Sequence, residues 1–185
     1  MVMLLVNKTM QINYTCNKTN NDITLVPVTI GDIDFLYHLK SEEQSIYWSG
    51  YSKAPKYENL SKHYQDCINK KTKVILIIKF NGESAGVISF VIKDVLTCTD
   101  YGINISSKFS GQKVGFQSIN KCFEYLKLNN PSVKSIDAFI AENNKRSQNI
   151  FTKSGFILTT NYKYMDLKPS SKLVSIRFYK WIKYL

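Results

Sequence analysis

Arginine is almost missing from this chain: of its 25 basic residues only Arg146 and Arg177 are arginine, and all the others are lysine. Two-pronged reading of bases and phosphates favours the planar guanidinium. A lysine-borne net charge of +11 therefore argues against a dedicated nucleic-acid groove. It fits a diffuse positive field that concentrates small anions. Cysteine is limited to Cys16, Cys67, Cys98 and Cys122. No two share the close spacing of a zinc knuckle or a paired redox site, so no metal is expected and scattered free thiols in the cytoplasm are the plain reading. The apolar runs Val74 to Ile78 and Ala85 to Ile92 fall far short of the roughly 20 residues that span a bilayer. Met1 to Val6 has neither a basic flank nor a cleavage site within reach, so no signal peptide is expected. Without a secretory route the glycosylation sequons at Asn7, Asn13 and Asn17 carry no weight.

What is present fits one domain. The chain has 185 residues, 44% of them hydrophobic, enough for a real core and too few for two. Residues 1–21 read as a polar, poorly specified arm after the apolar start; residues 22–185 read as the domain. Ile23 to Val28 alternates like a strand, with Pro27 placing it at a sheet edge. Ile30 to Leu39 and Tyr57 to Ile68 carry apolar residues at helical spacing, and Glu42 to Pro55 between them reads as an aromatic loop. Val74 to Phe80 and Ser84 to Ile92 flank Asn81-Gly82, a strong hairpin signal. Thr97 to Ser106 reads as a strand, Gly111 to Leu128 as a helix, Val133 to Ala141 as a strand and Asn144 to Lys153 as a helix. Two last strands, about Phe156 to Leu167 and Lys172 to Tyr184, turn at Pro169-Ser170-Ser171. The order predicts an α+β, three-layer fold: a mixed, mostly antiparallel sheet of about seven strands with flanking helices.

Two stretches carry chemistry. In Asp100 to Phe116 a strand runs through a short loop with two glycines straight into a helix. Free amides at a helix start bind phosphate, glycine lets the backbone approach it, and Lys108 and Lys113 add charge. In Glu142 to Phe156 a strand ends, Asn144 caps a helix, and Gly155 stops it in a left-handed conformation.

Together the two stretches resemble the GCN5-related N-acetyltransferase (GNAT) superfamily, and the element order agrees from about residue 22 to 184. Ser110-Gly111-Gln112-Lys113-Val114-Gly115 matches that family's pyrophosphate loop in part, with Ser110 and Lys113 departing from it. Asn144, Ser147, Ile150, Gly155 and Phe156 match its later motif well. The long aromatic loop is most similar to the branch of ribosomal-protein, diamine and amino-sugar acetyltransferases.

The resemblance implies direct transfer of acetyl from acetyl-CoA to a primary amine, leaving coenzyme A. It implies a strand that splays near Ile105, freeing main-chain groups of Ile103 and Ile105 for the pantetheine arm. The amides of Gly111, Gln112, Lys113, Val114, Gly115 and Phe116 would take the pyrophosphate, with Asn144 and Ser147 near the arm. Phe151 stands where many members carry a tyrosine that protonates the leaving thiolate; Tyr101 or Tyr162 to Tyr164 could replace it, or the thiolate leaves unaided. Since an amine of pKa ~10 is almost fully protonated at neutral pH, a carboxylate is expected at the cleft. Asp100 and Glu142 are the candidates, with His38 and His63 as further possible bases beside a surface role.

The acceptor pocket is expected around Tyr47, Trp48 and Tyr51, whose aromatic faces suit a sugar ring or nucleobase, with Glu42 and Glu43 facing a cationic amine. The positive field repels polyamines and attracts a nucleotide-linked amino sugar, which is the preferred acceptor. Alternatives are a protein N-terminal or lysine amine, and a catalytically silent member that binds a CoA ester or nucleic acid. The apolar closing hairpin (Phe178, Tyr179, Trp181, Ile182, Tyr184) suggests the seam of a homodimer.

Overall fold

The computed structural model describes residues 22–167 and 174–185. The predicted arm, Cys16, and the Pro169-Ser170-Ser171 turn lie outside the described residues. Seven strands form one sheet: β1 (Ile23–Pro27), β2 (Val74–Phe80), β3 (Glu83–Ile92), β4 (Thr97–Ile105), β5 (Ser135–Ala141), β6 (Ile157–Leu167) and β7 (Val174–Tyr184), in the order β1-β2-β3-β4-β5-β7-β6. Every neighbouring pair is antiparallel except β4 with β5. Among the described residues five α-helices flank it: α1 (Ile33–Ser41), α2 (Glu43–Trp48), α3 (Tyr57–Lys70), α4 (Val114–Asn129) and α5 (Lys145–Lys153).

Local chemistry explains most of these elements. Pro27 ends β1, an outermost strand, where its missing N–H costs no ladder bond. The Asn81-Gly82 turn holds both residues at positive φ, 51° and 85°, as the tight link between β2 and β3 requires. The Asp32 carboxylate accepts from both the backbone N–H and the hydroxyl of Thr29, each at 2.8 Å, fixing the entry to α1.

The sheet sorts its side chains onto two faces. On one, Leu76, Ile78, Ile88 and Phe90 pack with Val114, Ile119, Cys122 and Leu126 of α4 and Phe151 of α5. On the other, Ile75, Ile77 and Val87 pack with Leu36 and Leu39 of α1 and Leu60 and Tyr64 of α3. A smaller cluster of Ala141, Leu167, Ile176 and Phe178 takes in Tyr47 and Trp48 of α2.

Three expectations are corrected. The aromatic loop contains a helix, α2, because Ser45 and Trp48 lie one turn apart and reach the sheet together. Helix α4 begins at Val114 and not at Gly111, since Gly111 and Lys113 sit at φ +82° and +61°, outside the helical region. In the closing hairpin Phe178 and Trp181 are buried in the cores. Tyr184 is exposed as expected, and the hairpin's other exposed apolar side chains lie mostly on β6: Ile157, Leu158, Tyr162 and Tyr164.

Candidate active site

The parallel pairing of β4 with β5 lasts for two positions, Thr97 with Ser135 and Cys98 with Ile136. Beyond it β4 continues to Ile105 beside β3, while β5 continues to Ala141 beside β7. The sheet therefore opens into a wedge. A β-bulge marks the parting: Asp100 stands at φ +51°, and the β3–β4 register slips between Ser89 and Val91, so Phe90 faces both Asp100 and Tyr101.

The wedge leads into a cleft of about 700 Å³ that reaches both faces of the sheet. On the α4 side it is floored by Tyr101, Ile103 and Ile105 of β4 and walled by Val114, Gly115, Ile150 and Phe151. On the α2 side it is lined by Lys40, Gln44, Ser45, Trp48 and Ser49, with Ser89 and Asn104 from the strands.

The turn between β4 and α4 closes one end. Ser107–Phe109 forms a single 3-10 turn, Gly111 swings the chain through positive φ, and Lys113 in a left-handed conformation caps α4. A Cβ on Gly111 would meet nothing within 4 Å, so conformation and not space calls for glycine there. The first backbone bond into α4 runs from Gln117 N–H to Lys113 O. Among the described residues the amides of Val114, Gly115 and Phe116 thus have no backbone acceptor. With the helix dipole behind them they form an anion cradle, and Lys113, Arg146 and Lys153 add positive charge along the same cleft.

From the facing wall, Asn144 Oδ1 accepts from Ser147 N–H at 3.1 Å and so caps α5, and both residues also line the cleft. Gly155 ends α5 at φ +80° as the sequence implies. The Tyr101 ring packs against Phe90, Phe151 and Phe156. Its hydroxyl lies toward Cys122 and finds no oxygen or nitrogen partner among the described residues. Burial pushes its phenol far above the ordinary range.

The structure gathers Ile103, Ile105, Gly111, Lys113, Val114, Gly115, Phe116, Asn144, Ser147, Phe151 and Trp48 around this one cleft. Other expected residues fall outside its lining. Gln112 turns away and donates from Nε2 to Lys108 O at 3.3 Å. Lys108 is paired with Glu83, which offsets the charge expected of it at the turn. The Glu42 carboxylate accepts from Ser107 N–H at 2.8 Å and so ties α2 to the turn instead of facing an amine. Tyr47 lies behind Trp48, edge-on at 4.6 Å, and Tyr51 is exposed.

Asp100 and Glu142 are exposed and neither lines the cleft. The bulge puts two residues, Thr99 and Asp100, between the buried Cys98 and Tyr101, and this takes Asp100 out of the inward-facing row. Glu142 lies past the end of β5, where its N–H bonds to Arg177 O. His38 and His63 are exposed on α1 and α3, away from the cleft. Among the described residues no carboxylate lines the cleft at all, and no group of three or more metal-ligating side chains gathers anywhere. No helix among them is long and apolar enough to cross a membrane. Lys40, Gln44, Ser45, Ser49, Ser89, Asn104 and Lys153 also line the cleft without a signal in the sequence, where only glycines, caps and aromatic clusters mark themselves, and Arg146, notable there only as a rare arginine, joins them.

The family described as acetyltransferase (GNAT) domain matches residues 22–157. No curated protein matches the chain in sequence. Among solved structures it is similar to spermidine N-acetyltransferase from Vibrio cholerae in complex with CoA and spermine. That match has a TM-score of 0.74 at 14% identity and covers 88% of this chain and 95% of the other. An aminoglycoside acetyltransferase in complex with coenzyme A superposes with a TM-score of 0.68 at 16% identity, covering 88% and 95%. An acetyl transferase from Salmonella typhimurium that modifies the N-terminal serine of a 50S ribosomal subunit protein gives 0.69 at 17% identity, covering 88% and 95%.

Proposed function

Because the chain belongs to the acetyltransferase (GNAT) family and is an acetyl-CoA-dependent N-acetyltransferase, we propose that its acceptor is a small primary amine of the nucleotide-linked amino-sugar class. The wedge between β4 and β5, which opens onto the cradle of unpaired amides at the start of α4, supports the donor's place; the observation that carries the acceptor class is a cleft lined by cations and, among the described residues, by no carboxylate.

The residues present fit the donor. The amides of Val114, Gly115 and Phe116 with Lys113 would hold its pyrophosphate. The main-chain groups of Ile103 and Ile105 on the side facing away from β3 would pair with the pantetheine arm, since β5 has left them. Asn144 and Ser147 would steady the arm from the facing helix. Acetyl-CoA supplies an activated acyl thioester. The wedge lets an amine on the α2 side meet it through the sheet.

In the transfer a nitrogen–carbon bond forms while the carbon–sulfur bond breaks, and the sulfur departs as a thiolate. An alkyl thiol ionises near ~8.5, so a departing sulfur manages without the phenol that Phe151 lacks. The amine must first become a free base. With no carboxylate in the cleft lining, we assign that proton to water held by Ser45, Ser49, Ser89 and Asn104, which leads it out of the cleft. The apolar Trp48 and Phe139 give the acceptor a stacking surface. The net charge of +11 favours acceptors that carry phosphate. We also assign a homodimer seam to β6, an outer strand whose Ile157, Leu158, Tyr162 and Tyr164 stand exposed.

A coenzyme A release assay across nucleotide-linked amino sugars, free amino sugars, N-terminal peptides and polyamines tests the proposal. The expected result is the highest kcat/KM with the nucleotide-linked sugar. Preference for a peptide or a polyamine would overturn the acceptor class.

A further inference from the structure

The two halves of the cleft differ in what their charges can serve. Lys113, Arg146 and Lys153 belong to α4 and α5 or the turn before them, on the face of the sheet where the donor's phosphates would lie. Lys40 lines the same cleft from the last turn of α1, which packs on the opposite face. Those phosphates therefore give no account of Lys40. Its neighbours in the lining are Gln44, Ser45 and Trp48, all from the adjoining α2.

Lys40 is half-buried and, among the described residues, makes no ion pair and no hydrogen bond. Burial first, then the nearby Lys73, holds its ammonium below the usual lysine range. A cation kept out of water without a counter-charge is costly, and the cost falls when an anion arrives. The cleft supplies none, since no carboxylate lines it among the described residues. A polycation entering this half would meet a positive charge and nothing to offset it.

We propose that Lys40 anchors an anionic group, a phosphate or a carboxylate, that the acceptor carries apart from its amine. The proposal rests on the acetyltransferase reading and names the chemistry that the acceptor half selects. Gln44 supplies a donor on the same wall as the ammonium, and Trp48 covers the body of the acceptor between its anion and its amine. Anion and amine then occupy opposite ends of one wall, and the anchor sets how far the amine reaches into the wedge.

The test uses the full chain and the Lys40→Met variant, with Lys40→Arg as the charge-keeping control. Four acceptors are compared by coenzyme A release: a free amino sugar, its phosphate ester, its uronic-acid analogue bearing a carboxylate, and spermidine. Binding of coenzyme A by calorimetry and the circular dichroism spectrum confirm that each variant is folded and holds the donor. The expected result is that wild type prefers the phosphate ester or the uronic acid over the free sugar by roughly 10- to 100-fold in kcat/KM, the range of one charge-assisted hydrogen bond. Lys40→Met should erase that preference through KM, and Lys40→Arg should keep most of it. The two anionic arms separate phosphate from carboxylate.

A preference for spermidine, or equal use of charged and uncharged sugars, overturns the anchor and leaves the acetyltransferase reading intact. A fall in kcat with KM unchanged in Lys40→Met also overturns it, since that pattern marks a base. Tight coenzyme A binding with no turnover of any amine would overturn both.

Discussion

Asn104 Nδ2 donates to Ser45 Oγ at 2.8 Å, tying the free stretch of β4 to helix α2 across the cleft mouth. Ser45 is itself buried. The bond and the Glu42–Ser107 contact hold α2 at two points, so the wall proposed for the acceptor is fixed to β4 and to the turn that follows it. Ser45→Ala should leave the Asn104 amide without its partner and lower stability by about 1–2 kcal/mol. In steady-state assays it should raise the acceptor KM while coenzyme A affinity stays unchanged. Weakened coenzyme A binding would show that the bond supports the donor side instead.

Gly111→Val tests the cradle. Space is open around Gly111, so the penalty comes from forcing a branched residue to φ +82°, a cost of about 1–3 kcal/mol. The turn should relax and coenzyme A affinity should fall by roughly tenfold or more in calorimetry. Undiminished affinity would place the pyrophosphate elsewhere.

Asp100→Asn and Glu142→Gln should leave the pH dependence of kcat where it is in wild type, because both carboxylates stand outside the cleft. A profile displaced to higher pH in either variant, measured over about pH 6 to 10, would return that residue to the role of base.

Alkaline pH should destabilise the fold in a defined window. Burial pushes the Cys122 thiol from 9.0 to about 12 and the Tyr64 phenol from 10.0 to about 12. Between roughly pH 9 and 12 the unfolded chain gives up protons that the folded chain keeps, so unfolding gains with every step upward. Chemical denaturation from pH 8 to 11 should show full stability at the lower end. The loss should then steepen toward about 1.4 kcal/mol per pH unit for each group ionised in the unfolded chain. A flat profile across that range would contradict the buried thiol and phenol.

Leu158→Lys should abolish association in sedimentation experiments and leave monomer stability nearly untouched, because Leu158 is exposed on an outer strand. A monomeric wild type would dismiss the β6 seam.

The turn and cap that border the cleft on the α4 side were legible because such geometry needs unusual residues at fixed places. Gly111 and Gly155 at positive φ and Asn144 as a cap announce themselves against a lysine-rich background. The Asn81-Gly82 hairpin was readable for the same reason. On the α2 side only Trp48 was legible, because Lys40 is one lysine among many and serine carries no positional signal. Helix α2 was missed since six residues are too few to establish a period. Asp100, a candidate because it is a carboxylate at the start of the central strand, stands outside the cleft lining because one inserted residue shifts the alternation of β4 without leaving a mark in the sequence.

That insertion has a consequence for the two faces that β4 presents to the cleft. Past Asp100, Ile103 and Ile105 pack with the α4 core while Asn104 reaches Ser45 on the other side. Deleting one residue at the bulge would rotate everything after it by half a turn. Both isoleucines would then point into the serine-lined wall and the amide into the apolar floor. A chain so shortened would retain every strand and helix of the described residues and still exchange the apolar and polar walls of the cleft, the ones proposed for donor and acceptor.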